Sequence, residues 1–385
     1  MKKFTKVMAI VLAAMLIVCS FAACGGQTGT DDSTAPSDNT GAKAGTILIG
    51  CTGPLTGDAS SYGMSVKQGA ELAIKEIAAN GGVNGLTLAF DMKDDKATAE
   101  DATAGYNALI DAGMKISIGS VTSGSCGAFA DLAAADNLFA ITPSASTATI
   151  IEKGTSIFRV CFGDPDQGIL AAEELTKTYS NIGCIYDTSD PYSKGVFDAF
   201  DAKMKELNVE YKVQTFDAEN KKDFSTQAEA LKDCDVVFTP FYYTEAGLVT
   251  KALVAKGSKA VIFGCDGLDG IADQVEGVEA QIKYITPFDV NSTNEVTAKF
   301  VAAYKEAYGV EPDQFAADGY DAIYAIKTAM EKAGVNNADI SASDLTDAVV
   351  AAITASDFKL EGATGTMTWD ASGACTKVPQ IVELG

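Results

Sequence analysis

The constraint that narrows the fold most is a repeated alternation of short apolar runs with stretches of helical spacing. From Thr46 onward the runs Thr46 to Cys51, Leu86 to Met92, Lys115 to Gly119, Leu138 to Thr142 and Ile157 to Cys161 read as buried strands. Met64 to Asn80 places Val66, Ala70, Ile74 and Ile77 at helical spacing, and Gly81-Gly82 ends that helix. A second series follows with Asn181 to Asp187, Val209 to Phe216, Asp235 to Thr239, Ala260 to Cys265 and Ile282 to Thr286. Asn294 to Gly309 and Ala316 to Ala333 read as helices, and Lys377 to Leu384 as a last strand. Strands alternating with helices are a signature of parallel sheets, and two successive series predict two doubly wound α/β lobes.

In such sheets ligands bind at the carboxyl edge, so the polar residues that follow each strand are the candidates. Ile116 and Ile118 lead into the hydroxyl turn Thr122-Ser123-Gly124-Ser125 and a helix-like stretch from Cys126 to Asp136. The run Leu138 to Ile141 leads into Thr142-Pro143-Ser144-Ala145-Ser146. Free N–H groups opening a helix favour an anion. Arg159 is the sole arginine, so a ligand anion must be held by hydroxyls and backbone N–H groups. The competing reading is that both turns are ordinary helix caps. Tyr62 follows the first strand; Tyr192, Tyr242, Tyr243 and Asp266 follow strands of the second series. Hydroxyls facing an acid and aromatic rings suit a zwitterion, with its carboxylate on one lobe and its ammonium on Asp266 and a ring face. Against this, the tyrosines could pack lobe surfaces, and Asp266-Gly267 could be a turn pair.

Composition removes several classes. Histidine is absent, which excludes Ser-His-Asp and Cys-His catalysis and every histidine-containing metal site. The nine cysteines include no C-x-x-C, so metal-cluster spacing is lacking and most are read as small buried hydrophobes. The net charge of −23 argues against a nucleic-acid partner. No cofactor, metal or catalytic residue is expected, and a monomer is. An enzyme working through Ser123 or Asp266 has no neighbouring base in sequence and no phosphate loop to support it.

The first 24 residues read as an export signal: a basic start, MKKFTK, an apolar core from Val7 to Val18, and small residues before Cys24. The junction Ala22-Ala23-Cys24-Gly25 resembles a bacterial lipoprotein signal, in which the cysteine is lipidated; a plain secretory signal cut near Ala23 is the alternative. Residues 25–45, rich in Gly, Ser, Thr and Asp, read as a flexible tether between a membrane anchor and an extracytoplasmic body.

Six segments in order carry a wider resemblance: residues 53–85, IGSVTSG (118–124), ITPSAS (141–146), YDTSDPYSKG (186–195), PFYYTEAGLVTKALVAKG (240–257) and DGYDAIYA (318–325). With these the chain resembles the type I periplasmic binding proteins of ABC transporters, in the leucine/isoleucine/valine-binding branch. The resemblance implies two Rossmann-like lobes joined by a three-crossover hinge near Gly163, Phe288 and Trp369. Lobe 1 would comprise residues 46–163 with 289–368, and lobe 2 residues 164–288 with 369–385. It also implies a ligand carboxylate held by Ser123, the Ser144 backbone and the Ser146 hydroxyl. The ammonium would be held by Asp266, with aromatic positions at Tyr62, Tyr192 and one of Tyr242 and Tyr243. The implied function is capture of an amino acid, branched-chain or otherwise aliphatic, for an ABC permease. A sensor for a membrane receptor, or a receptor for an amide or polyamine, stays open as an alternative.

Overall fold

The structure, a computed structural model, describes residues 45–384. The expected signal and Cys24 lie outside the described residues, as does all but the last residue of the tether.

Five strands form the first sheet: β1 (Thr46–Gly53), β2 (Thr87–Asp94), β3 (Ile116–Ser120), β4 (Ala140–Thr142) and β5 (Ile157–Arg159). They are ordered β2-β1-β3-β4-β5 and all parallel. The second sheet contains β6 (Ile182–Asp187), β7 (Lys212–Phe216), β8 (Val236–Thr239), β9 (Val261–Gly264) and β10 (Ile282–Thr286). A small hairpin follows, of β11 (Leu360–Gly362) and β12 (Gly365–Met367), and then β13 (Gln380–Glu383). The second sheet is ordered β13-β10-β9-β8-β6-β7, parallel except for β13, which returns antiparallel to β10. In each sheet the order reverses direction, which opens a crevice at the strands' carboxyl ends.

The helices that cover the sheets are α1 (Ser60–Ala79), α2 (Ala99–Asp111), α3 (Ser123–Ala135), α4 (Ala148–Ile151), α5 (Asp164–Thr178), α6 (Pro191–Glu206), α7 (Ser225–Leu231), α8 (Tyr243–Ala255), α9 (Glu295–Tyr308), α10 (Gln314–Lys332) and α11 (Ala342–Ile353). Helices α2 and α3 bury Tyr106, Leu109, Phe129 and Ala133 in a cluster shared with Ile157 of β5. Helices α1 and α10 pack so closely that a side chain at Gly69 would run into the Ala316 carbonyl, so glycine is required there. In the second sheet, Leu175 of α5 and Val196 and Phe200 of α6 pack over Cys184 and Phe238. At about 25 cal/mol per Å² of apolar surface, each such aromatic contributes a few kcal/mol when fully buried.

The expected strands are all present. Most boundaries fall within three residues of the expectation, and Ile282–Thr286 coincides with it. Two differences bear on the site. The helix expected from Cys126 opens at Ser123, so Ser123 is a first-turn residue rather than part of a preceding turn. Asp266 does not sit in a simple turn but opens a short 3-10 segment, Asp266–Leu268.

Candidate functional site

The carboxyl ends of both sheets converge on one buried cavity. It is lined by Val121, Thr122 and Ser123 after β3, Ser144 and Ser146 after β4, Tyr192 at the start of α6, Tyr242 before α8, and Asp266 and Gly267 after β9. Tyr62 and Phe315, in the first turns of α1 and α10, complete it. The atom-free space, mouth included, is about 250 Å³.

On the side of the first sheet, hydrogen bonds fix two turns against each other. Thr142 Oγ1 donates to Ser120 O at 2.7 Å and Ser144 Oγ to Val121 O at 2.7 Å. The N–H groups of Ser146 and Thr147 donate to Ser123 Oγ at 3.2 and 3.4 Å. The Ser144 hydroxyl is thus spent on holding the turn, while Ser123, accepting two bonds, keeps one proton to donate. Thr122 is the N-cap of α3 but makes no side-chain capping bond. The first N–H groups of α3 therefore open beside the cavity without a side-chain acceptor, a setting that favours an anion. Arg159 stands behind this wall, its Nη1 donating to Ser146 O at 2.9 Å.

The opposite side is acidic and aromatic. Asp266 is buried, and its Oδ1 accepts from Tyr192 Oη at 2.6 Å and from Gly267 N at 2.9 Å. Burial raises its pKa to about 6, against the lowering effect of those bonds. The backbone is pinned at both ends: Asp266 N–H donates to Gln167 Oε1 at 3.0 Å and Asp266 O accepts from Gln314 Nε2 at 2.5 Å. The rings of Tyr192 and Tyr242 stack at 5.3 Å, Tyr62 meets Tyr242 edge-on at 5.6 Å, and Phe315 lies 4.1 Å from Tyr62. An acid beside ring faces attracts an ammonium group, and the rings give an aliphatic chain an apolar wall.

Seven of the eight expected ligand residues line the cavity. Tyr243 is not among them: its ring packs edge-on against Tyr62 at 5.0 Å and its N–H donates to Tyr62 Oη at 3.1 Å, so it supports the wall from outside. Of the Tyr242 and Tyr243 pair, Tyr242 faces the cavity. Phe315 was not anticipated, because it sits on α10, which reaches the cavity only through its packing against α1. The elements around the two sheets touch across the cavity. Tyr62 Oη donates to Gly267 O at 2.5 Å, Thr244 Oγ1 to Asp58 O at 2.8 Å, and Lys221 Nζ bridges Glu245 at 2.9 Å and Asp58 at 3.2 Å. The arrangement is therefore a closed one.

A two-sheet α/β body that shuts on a small cavity at its strand ends defines a solute receptor in architecture. The chain belongs to the periplasmic binding protein family, whose model matches residues 46–377. Among curated relatives, the Leu/Ile/Val-binding protein BraC3 of Rhizobium johnstonii is 29% identical over 306 residues, covering 78% of this chain and 83% of its own. Among solved structures, the leucine binding protein LivK of Thermotoga maritima has a TM-score of 0.78 at 25% identity, covering 87% of this chain and 94% of its own. The substrate binding protein LivJ of Streptococcus pneumoniae, a branched-chain amino acid transporter component solved with isoleucine, has a TM-score of 0.78 at 26% identity, covering 87% and 95%.

Proposed function

We propose that this protein captures an aliphatic α-amino acid, of the leucine, isoleucine and valine class, and delivers it to an ABC permease. One observation carries the reading: a single buried cavity sets the uncapped start of α3 and Ser123 on one side against Asp266 and stacked tyrosines on the other. That is a carboxylate site facing an ammonium site. The names of the relatives, which bind leucine, isoleucine or valine, support it. A solute-binding family needs no chemistry at this site, in line with binding by hydrogen bonds and charge alone.

In this reading the ligand carboxylate takes the Ser123 proton and the free N–H groups of α3, with the Ser144 backbone and Ser146 beside it. Asp266 and the face of Tyr192 or Tyr242 take the ammonium, and Tyr62 and Phe315 cover the side chain. Closure removes water from these contacts and strengthens each one. The lobes are residues 46–163 with 289–368 and residues 164–288 with 369–385, hinged near Gly163, Phe288 and Trp369. The membership of β1 to β5 in one sheet and of β6 to β10 with β13 in the other supports that division. Trp369 Nε1 donating to Arg159 O at 2.8 Å ties the third crossover to the first.

A periplasmic binding protein works outside the cytoplasm, and the Cys24 junction supports a lipid anchor there. Replacing Cys24 with Ser should release the protein from the membrane fraction; unchanged fractionation would remove the anchor from the account. The functional reading is tested by a thermal-shift screen of the twenty amino acids with small amides and polyamines. Stabilisation by leucine, isoleucine or valine supports it, and stabilisation by amides or polyamines alone overturns it.

A further inference from the structure

The first turn of α10 clasps the opposite side of the molecule. The helix packs on α1, yet its first residue, the buried Gln314, bonds to three points on the side of the second sheet. Gln314 N–H donates to Asp269 Oδ2 at 3.0 Å, its Nε2 donates to Asp266 O at 2.5 Å, and its Oε1 accepts from Thr286 Oγ1 of β10 at 3.1 Å. Asp313, the N-cap, accepts from Ala316 N–H at 2.8 Å and from Ser65 Oγ of α1 at 2.6 Å. One helix end thus receives two carboxylates, Asp313 from its own side and Asp269 from the other.

A helix N-terminus carries the equivalent of roughly half a positive charge, enough to favour one anion and too little to offset two. The other titratable groups facing the pair are Asp266 of the 3-10 segment, Asp318 of α10, Tyr284 of β10 and Tyr304 of α9. None of these is a cation, and among the described residues neither Asp269 nor Asp313 forms an ion pair. Burial, and then the charge of Asp269, push the Asp313 carboxyl well above the ordinary range; burial pushes Asp269 the same way. Two acids so placed titrate together and hold one proton between them more readily than either would alone.

We propose that the first turn of α10 is a closure clasp whose two facing acids, Asp269 and Asp313, take up one proton between them when the cavity shuts. On opening, Asp269 leaves the Gln314 N–H, each acid is rehydrated, and the shared proton passes to bulk water. No bond other than the carboxyl O–H forms or breaks. Asp266 and Asp269 flank the same 3-10 segment, so the acid of the ligand cavity and the clasp move together. The clasp touches no ligand, and the inference therefore goes beyond the amino-acid reading: it holds for any solute on which the protein closes. Its consequence is a receptor that grips its solute more tightly in a mildly acidic medium and lets go more readily as pH rises.

The sign follows by linkage. Closing raises the pKa of the pair, so the closed form binds more protons than the open one. The clasp's contribution to affinity then falls, by up to about tenfold per pH unit, as pH rises from the ordinary carboxylate range to the raised value, and levels above it. Asp266 titrates nearby and gives up a proton to a bound ammonium, so the test is a difference between proteins. Titration calorimetry of L-leucine on the full chain at pH 6, in buffers of different ionisation enthalpy, counts the protons. Wild type should take up between about half a proton and one proton more than Asp313→Asn, whose amide oxygen can keep the bond from Ala316 N–H. At pH 7.5 Asp313→Asn should bind leucine more tightly than wild type, because closing no longer brings two charges together; a residue with only a structural role would weaken binding instead. Should Asp313→Asn fail to fold, Asp269→Asn, which keeps an oxygen for Gln314 N–H, must show both effects. Equal proton counts, or weaker binding by the variant at pH 7.5, overturn the inference. Wild type that binds no leucine sinks the choice of ligand alone, and small-angle X-ray scattering of the ligand-free protein then decides. A radius of gyration that grows from pH 5.5 to 8 in wild type and not in Asp313→Asn supports the clasp; one that stays constant in wild type overturns it.

Discussion

Replacing Asp266 with Asn tests the ammonium side of the site with little change of shape. The amide oxygen can keep both bonds that Asp266 Oδ1 accepts, from Tyr192 Oη and Gly267 N, so the 3-10 segment should hold. In the ligand-free protein the change should not be costly. The folded pKa stands at about 6 against an ordinary 3.8 because burial penalises the charge, so ionising Asp266 costs the fold about 3 kcal/mol. This is the reverse of a salt-bridged carboxylate: stability is lost as pH rises from about 4 through 6, and the Asn form escapes that loss. Its melting temperature at pH 7 should equal or exceed that of wild type. Binding should move the other way. A ligand ammonium left facing an amide N–H in a water-free cavity loses about 2 to 5 kcal/mol, or roughly 30-fold to several thousand-fold in affinity. Calorimetry of leucine on both proteins, with melting curves at pH 4.5 and 7, reads both effects. An Asn form that binds within about threefold of wild type, under 1 kcal/mol, would mean that Asp266 is only a turn residue.

Two further outcomes follow. Ser123→Ala removes one hydroxyl bond to a charged group, worth roughly 1.5 to 3 kcal/mol, and also frees the N–H groups of Ser146 and Thr147; leucine affinity measured by calorimetry should fall at least tenfold. Lys377→Met leaves the buried Asp318, now 2.5 Å from the ammonium, without its cation beside Asp321, and chemical denaturation should show a loss of about 3 to 5 kcal/mol.

The parts of the site that sequence made legible are those set by local chemistry. Ser123, Ser144, Ser146, Tyr192, Tyr242 and Asp266 all follow strand ends, and a parallel sheet brings strand ends together whatever the intervening helices contain. Tyr62 was legible for the same reason, in the first turn of the helix after β1. Tyr243 and Tyr242 could not be separated by pattern alone, because which of two adjacent side chains faces inward depends on where α8 begins, a one-residue matter of helix phase. Phe315 and the backing residues Arg159 and Gln167 come from elements whose approach to the cavity is fixed only by tertiary packing. Helix α11 was not anticipated although it carried a local signal: Ser341 caps Asp344 N–H at 3.0 Å, and Leu345, Val349 and Ile353 share one buried face.

The central claim is that one cavity reads both charges of an amino acid. Titrating the wild-type protein with L-leucine, with 4-methylpentanoate, which lacks the ammonium, and with 3-methylbutylamine, which lacks the carboxylate, tests it directly. All three carry the same branched chain, so any shared affinity comes from the aromatic wall alone. The account predicts that leucine binds and that each analogue is weaker by at least about 100-fold, the loss expected when a buried partner group is left unpaired. Analogue affinities within a few-fold of leucine would contradict it.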